Sequence, residues 1–493
     1  MDYSSLKSGT DIRGIASSLG GKEVNLTPEA VYDITAAFVV WYVNKYKKSP
    51  NELMVALGHD SRITGEEIAS KTAQAIIDSG ATVIDCGLAS TPAMFMTTVD
   101  LKVDAAIEIT ASHHPFDRNG LKFFTRDGGL DSNDISEIVK LANNGEEIIC
   151  NCAGVRIVVD YMKVYAARLR RMICESVGKT ENEQPLKGYK IVVDAGNGVG
   201  GFYANEVLKK LGADITGSRF LEPDGMFPNH IPNPEDKTAM KSICDAVREN
   251  SADLGLIFDT DVDRAGCVDK NGNEINRNRL IALASFIAVD GRKNAVIVTD
   301  SVTSDGLKEF IEKNLGCTHY RYRRGYKNVI NKALELTDEG KDCPLAIETS
   351  GHAALKENYF LDDGAYLVTK IVIELAKGRD INAILSPLKM PVEEMEVRYN
   401  IKAADFKTYG QTVIDELTEY AKTKSQYTVA DDNREGVRIS TENGWFLLRL
   451  SVHDPVMPMN FESNKEGGIA EDIAGIKEFF ERFSELDISS LNN

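Results

Sequence analysis

Short apolar runs alternate along the chain with stretches of helical spacing, and most runs stop at a cluster of polar residues. Residues 103–109, Val-Asp-Ala-Ala-Ile-Glu-Ile, read as a strand that ends in the polar turn Thr110-Ala111-Ser112-His113-His114-Pro115. Leu53–Leu57 and Thr82–Cys86 read as strands too. Helices are predicted over about 28–47, from near Gly65, and from Ser90-Thr91-Pro92, where a capping serine precedes an early proline. This is a β-α-β rhythm, and it returns twice. Tyr189–Asp194 runs into a Gly-rich loop and a helical stretch from about Phe202, and Asn294–Asp300 runs into Ser301–Ser304 and another helix. Beyond about residue 390 the pattern changes. Glu393–Arg398 alternates like a strand, Asp415 opens a helix, and Gly436–Ile439 and Trp445–Leu450 flank a turn at Asn443-Gly444. The fold predicted is α/β, with three related mixed α/β domains followed by a smaller C-terminal α+β domain.

The length of 493 residues agrees with three or four domains of ordinary size. A formal charge of −18, from 57 basic and 75 acidic residues, argues against nucleic acid or an anionic membrane as a partner. The one dense basic cluster is Arg321-Tyr322-Arg323-Arg324. No stretch is apolar for long enough to span a bilayer, and the N-terminus lacks a signal-peptide pattern. The eight cysteines are scattered, with Cys86, Cys244, Cys267 and Cys317 in or beside apolar runs, as expected of reduced thiols in a cytoplasmic protein. Cys150-Asn151-Cys152 lacks the second ligand pair that a zinc site needs.

Candidate chemistry gathers at the strand ends. Ser112, flanked by His113, is not in a hydrolase elbow, and its octapeptide alone is equally a polar turn. Asn119-Gly120-Leu121-Lys122 then supplies a turn signal and a cation, which a hydroxyl that carries phosphate requires nearby. Arg13, on the tight segment Ile12-Arg13-Gly14, could fork onto a phosphate. The sharpest signal is Asp259-Thr260-Asp261-Val262-Asp263-Arg264, after the strand Ala252–Phe258. Three carboxylates at alternate positions repel one another unless a cation collects them, and oxygen ligands alone indicate Mg²⁺. Arg264 and Lys270 stand where a calcium loop would need glycine and glutamate. Glu348, Ser350 and His352 would point one way in an extended segment and offer polar groups to a polyol. Arg449, Ser451 and His453 end the last hairpin with a guanidinium, a hydroxyl and an imidazole for an oxyanion. The loop Gly196–Gly201 lacks the Gly-Lys-Ser/Thr of an ATP loop and the acidic residue of a dinucleotide site, so no nucleotide cofactor is expected.

Taken together these stretches resemble the α-D-phosphohexomutase superfamily, in its phosphomannomutase/phosphoglucomutase branch. Thr110–Pro115 looks like the phosphoserine loop, Asp259–Arg264 the magnesium loop, Glu348–His352 the sugar-recognition loop and Arg449–Pro455 the phosphate-binding loop. Ser8–Gly14 and Gly58–Arg62 are similar to two further family stretches. The chain departs from the family pattern at His59, His114, Ile347 and the pair Val452-His453. The resemblance implies four domains around a central cleft, at 1–160, 161–280, 281–390 and 391–493. It implies phosphoryl transfer between O1 and O6 of mannose or glucose, through phosphorylated Ser112 and a hexose 1,6-bisphosphate that also serves as activator. His113, Lys122, Arg13 and Arg264 would surround the transfer. One Mg²⁺ per chain would sit on Asp259, Asp261, Asp263 and the Ser112 phosphate. Glu348, Ser350, His352, Arg449, Ser451 and His453 would bind the phosphosugar, and the enzyme would be a monomer or homodimer. A phosphoglucosamine mutase would share these motifs. A non-catalytic sugar-phosphate-binding protein would have no use for Ser112 together with three aspartates.

Overall fold

The polar loops predicted to carry chemistry do lie at strand ends in the computed structural model, which describes residues 2–148, 150, 153–451 and 454–489. The chain forms two units: Met1–Asn276 with Ser350–Asn382, and Arg277–Thr349 with Ala383–Asn493.

In the first unit, β1 (Asp11–Ile15), β2 (Met54–His59), β3 (Thr82–Leu88), β4 (Ala105–Ile109), β5 (Arg118–Thr125) and β6 (Arg156–Val158) build one sheet in the order β1-β5-β4-β2-β3-β6. β2 is parallel to β3 and β4, and β3 is parallel to β6. β5 turns back antiparallel to β4 and also to β1. Helix α1 (Pro28–Tyr46) starts where Thr27 Oγ1 accepts from the Ala30 N–H and Pro28 presets the first turn. Its run Ala36–Tyr42 is buried all round, so α1 is a core helix rather than a surface one. Phe38 stacks on Phe123 of β5 with ring centroids 4.8 Å apart. Phe38→Ala would cost about 3–5 kcal/mol. Gly65–Asp78 and Thr91–Asp100 are helical as expected, the latter capped by Ser90 Oγ on the Ala93 N–H.

The Asn119-Gly120 pair, read from sequence as a turn, lies inside β5. A Cβ on Gly120 would stand 2.2 Å from the Ile12 carbonyl oxygen and 2.9 Å from that of Thr110, so glycine serves here to let β1 and the end of β4 approach.

A second sheet of the same unit places β8 (Leu254–Phe258) between parallel β7 (Ile191–Asp194) and antiparallel β9 (Ala265–Asp269). The helix expected from about Phe202 is a π-helical turn, Tyr203–Leu208, closed by a 3₁₀ turn, Lys209–Leu211. The segment Ser350–Asn382 contributes the hairpin Ala353–Leu355/Leu361–Asp362 and the helix Gly364–Ala376, capped by Asp363.

In the second unit, Val296–Thr299 pairs in parallel with Thr318–Arg321 and Leu345–Ile347. Its C-terminal part is an antiparallel sheet ordered Thr428–Val429, Val437–Ser440, Gly444–Leu448, Val456–Ser463, Glu393–Ile401, Leu486–Asp487. The helix expected from Asp415 covers Phe406–Lys422, because Asp405 caps it by accepting from the Thr408 N–H. Tyr399, Phe446, Phe461, Phe479 and Phe480 fill the core between this sheet and its helices.

Candidate active site

Ser112 is placed by main chain that other residues hold. It is 5% exposed and sits at φ +51°, a left-handed conformation that serine adopts only under constraint. The constraint is Arg62. Its guanidinium donates to the carbonyl oxygens of Ser112 and His114 through one nitrogen and of Pro115 (2.7 Å) and Arg118 (2.8 Å) through the other. Asp60 neutralises it (3.3 Å) and also accepts from Thr110 Oγ1 at 2.6 Å, while Thr110 Oγ1 accepts from the Ser112 N–H at 2.9 Å. In the sequence the Asp60-Ser61-Arg62 segment resembles a family stretch and carries no role of its own. Its legible signal was a charged pair directly after a short apolar strand.

Three groups meet the Ser112 hydroxyl. Oγ donates to Asp259 Oδ2 (3.0 Å), accepts from Arg264 Nη2 (3.3 Å), and lies 3.3 Å from His113 Nδ1. Arg264 also binds Asp259 through Nε at 3.1 Å. His113 stacks on His114 with centroids 5.1 Å apart, so the departure at 114 supplies a ring to its neighbour. Burial, then Arg264, holds His113 far below the ordinary imidazole range. Burial, then Arg13, lowers His114 to about 4. Both rings are neutral at pH 7. Arg13 lies opposite Gly120 in the β1–β5 pairing and is held by Asp11 at 2.8 Å.

The aspartate loop joins β8 to β9. Asp259 Oδ1 accepts from the Arg264 N–H at 3.2 Å, and Val262 takes φ +66° at the tip. Gly364, at the start of its helix, donates to the Val262 carbonyl (3.1 Å); a Cβ there would be 2.7 Å from the Arg264 carbonyl carbon. Asp261 is fixed by Thr91, whose N–H donates to its carbonyl (3.0 Å) and whose hydroxyl donates to Oδ2 (2.5 Å). Lys122 Nζ bridges Asp261 Oδ2 (2.9 Å) and Asp263 Oδ2 (2.5 Å). Burial pushes Asp259 well above the usual carboxylate range, with Asp263 and Asp261 adding to it. At Asp263 burial is outweighed by Lys122, His352 and Arg264, and the group stays ionised.

Ligand oxygens of Asp259, Asp261 and Asp263 lie within 4.8 Å of one another. Asp261 Oδ1 and Asp263 Oδ1 are buried and accept no hydrogen bond. Two buried carboxylate oxygens left in this state fit a hard divalent cation, as does the all-oxygen donor set. A second group of the same compactness, Asp263, His352 and Asp362, mixes nitrogen with oxygen and would suit a softer ion.

The Glu348–His352 segment is not extended. The chain turns at Thr349-Ser350 and Gly351 takes φ +93°, so the extended backbone that the alternation presumed is absent. In the first unit Ser350 Oγ is 2.8 Å from His352 Nδ1, and His352 Nε2 lies 3.6 Å from Asp362 and 3.8 Å from Asp263. Burial lowers His352 to about 3. Glu348 belongs to the second unit, where it accepts from the Gly325 N–H at 2.6 Å.

Elsewhere in the second unit Arg449 is buried, with Nη2 3.8 Å from Glu396 and its N–H on the Pro458 carbonyl at 3.1 Å. Ser451 Oγ accepts from the Asp454 N–H at 3.2 Å. Val452 and His453 lie outside the described residues, as do Asn151 and Cys152. Cys86, Cys244, Cys267 and Cys317 are buried free thiols, and among the described residues no helix is long and apolar enough to cross a membrane.

Comparison with known proteins gives the family. Residues 6–148, 163–272 and 276–389 match the models of phosphoglucomutase/phosphomannomutase alpha/beta/alpha domains I, II and III. The phosphoglucomutase of Neisseria gonorrhoeae is 28% identical over 460 residues, 93% of either chain. The phosphomannomutase/phosphoglucomutase of Pseudomonas aeruginosa is 29% identical over 473 residues, 95% of this chain and 93% of the other. A crystal structure of a phosphoglucomutase/phosphomannomutase family protein from Burkholderia thailandensis superposes with a TM-score of 0.79 at 27% identity, covering 98% of this chain and 97% of that one. The chain belongs to the phosphoglucomutase/phosphomannomutase family of α-D-phosphohexomutases, and with it to the enzymes that move a phosphoryl group within one sugar.

Proposed function

We propose that this mutase interconverts the 1- and 6-phosphates of glucose and mannose, with Ser112 as the residue that carries the phosphoryl group. The observation behind this is the Ser112 hydroxyl itself: buried, in a strained left-handed turn, and met by Asp259, Arg264 and His113. In the forward step a sugar hydroxyl attacks phosphorus, the Ser112 Oγ–P bond breaks, and the hydroxyl proton leaves. Lys122 or His113 helps to move that proton, which ends on the leaving Ser112 oxygen, whereas Arg13 and Arg264, too basic to exchange protons, screen the phosphoryl oxygens. The hexose 1,6-bisphosphate then turns over, and its other phosphate returns to Ser112. Free bisphosphate restores an enzyme that has lost its phosphate. One Mg²⁺, held by Asp259, Asp261, Asp263 and the Ser112 phosphate, would supply charge neutralisation as the phosphoryl group moves.

Glu348, Ser350 and His352 would take the sugar hydroxyls. A carboxylate across the 3- and 4-hydroxyls serves both orientations of the hexose and tolerates either configuration at C2. Arg449, Ser451 and His453 would hold the phosphate that does not react, so that its binding energy orients the reacting end. The names of the relatives, phosphoglucomutase and phosphomannomutase/phosphoglucomutase, support gluco and manno substrates. We place the enzyme in the cytoplasm, as a monomer or homodimer. The test is a set of parallel rates with glucose 1-phosphate, mannose 1-phosphate and N-acetylglucosamine 1-phosphate. Comparable rates on the first two are expected, and a strong preference for the acetamido sugar would make the enzyme a phosphoglucosamine mutase.

A further inference from the structure

Glu108 is a carboxyl group without an assignment. It is the fourth residue of β4, 0% exposed, and neither of its carboxyl oxygens has a hydrogen-bond partner. Its surroundings are apolar on one side. It pairs in register with Gly58, and a Cβ at that glycine would stand 2.7 Å from Glu108 Oε2, 2.6 Å from Met94 Sδ and 2.8 Å from Ala89 Cβ. A methionine or leucine in place of Glu108 would satisfy this packing, whereas a carboxyl left without partners is destabilising by roughly 1–3 kcal/mol. Such a group in a native core calls for a reason.

The reason lies on its other side. Glu108 is the register partner of Lys122 across the antiparallel β4–β5 pair. Directly opposed residues project from the same face with Cβ atoms about 4.5–5.5 Å apart, within the reach of a lysine stem. Lys122 has its ammonium on Asp261 and Asp263, two of the carboxylates that would hold the metal. A divalent cation on the unpartnered Oδ1 atoms of these two carboxylates and an ammonium on their Oδ2 atoms draw on the same negative charge and repel each other, which favours withdrawal of the ammonium when the cation arrives. A buried ammonium cannot withdraw into apolar surroundings without another counter-charge.

We propose that Glu108 is the second seat of the Lys122 side chain: when a divalent cation occupies Asp259, Asp261 and Asp263, Lys122 leaves Asp261 and Asp263 and pairs with Glu108. The inference rests on the metal reading given above. Glu108 is thus a positioning residue, acting on the metal and the transfer through Lys122. Burial, then Asp60 and Asp261, hold its carboxyl well above the ordinary range in the metal-free protein, and an approaching ammonium opposes that shift.

The test is calorimetric titration of the full chain with Mg²⁺, alongside thermal unfolding without metal. Glu108→Met should weaken Mg²⁺ binding about tenfold while raising the metal-free unfolding temperature, a pair of opposite signs that loss of structure would not give. Glu108→Gln, which keeps the volume, should weaken Mg²⁺ in the same direction if Glu108→Met folds poorly. In a Lys122→Met background, removing Glu108 should change Mg²⁺ affinity by less than about twofold. Unchanged affinity in both Glu108 variants would overturn the proposal. So would an undiminished tenfold loss in the Lys122→Met background, since Glu108 would then act on the metal by its own charge. If the parent bound no Mg²⁺, or Asp261→Asn bound it as the parent does, the metal reading itself would fall and this proposal with it.

Discussion

The charged groups around Ser112 and those around Arg449 solve opposite problems. In the first unit three aspartates crowd into one buried loop, their oxygens only partly satisfied by Lys122, Arg264 and Thr91. In the second unit the cations are the crowded partners. Arg321 and Arg438 share Asp305 at 3.0 and 2.9 Å, Arg438 lies 3.5 Å over the Trp445 ring, and Arg324 and Arg449 stand near Asp300 and Glu396 at 3.7 and 3.8 Å. An acid-rich cluster with unsatisfied oxygens attracts a cation, and Arg449, whose Nε is buried without a hydrogen bond, remains able to bind an anion. On the proposed function the first arrangement would make and break a phosphate ester, and the second would hold a phosphate that stays intact.

Experiments that separate the two regions should differ in size. The largest effect is expected at the hydroxyl itself. Ser112→Ala should lower turnover by several orders of magnitude and prevent the gain of one phosphoryl mass expected of the parent after incubation with glucose 1,6-bisphosphate; normal turnover in this variant would sink the assignment. Next is the cation. Asp261→Asn should reduce both Mg²⁺ affinity and the rate by roughly a hundredfold or more, and exhaustive chelation of the parent should do the same. Activity that survives chelation would contradict a metal role for the loop.

Arg449 should behave as a binding residue. Arg449→Ala should raise KM by roughly ten- to a hundredfold, in keeping with the loss of about 1.5–3 kcal/mol for hydrogen bonds to a charged group. It should also release more bisphosphate during turnover, because the intermediate must be gripped again after reorienting. A fall in kcat with unchanged KM and no extra bisphosphate would move Arg449 to the reacting end.

The smallest effect concerns stability. Burial pushes Glu462, which accepts from the Asp305 N–H at 3.4 Å, up to about 7 against the pull of Arg438. Between about pH 4.5, where an unfolded glutamate ionises, and pH 7, the native protein therefore keeps a proton that the unfolded chain has lost. Native binding of the extra proton means that this group's contribution to stability falls as pH rises through the window and is flat above it. Glu462→Gln should flatten that part of the profile in thermal unfolding from pH 5 to 8; an unchanged slope would show that another group titrates.

Strands and strand ends were legible because apolar runs of strand length followed by polar turns leave few alternatives, and the motif loops sit on those ends. The Ser112–Asp259 contact was expected through family resemblance, since no local pattern joins residues far apart in sequence. Asn119-Gly120 misled because the dipeptide signals a turn, whereas the close approach of two neighbouring strands also demands glycine. The alternation of Glu348, Ser350 and His352 misled because it presumed an extended segment, and Gly351 bends it. Arg62 was visible but unassigned, since what it binds is main chain, which has no side-chain signature. Glu108 was hidden inside a strand pattern, and only its lack of partners sets it apart.

Arg62 carries a consequence for how this active site can change. It holds carbonyl oxygens, which every amino acid possesses, and so fixes the course of residues 112–118 without consulting their side chains. Positions 113 and 114 are thereby free to vary in basicity and size while the Ser112 hydroxyl stays where it is. His114, a departure from the family pattern, is one such variation. The guanidinium separates the address of the hydroxyl from the tuning of its neighbours, and a library of substitutions at 113 and 114 would be expected to spread in rate and pH response while preserving the position of Ser112.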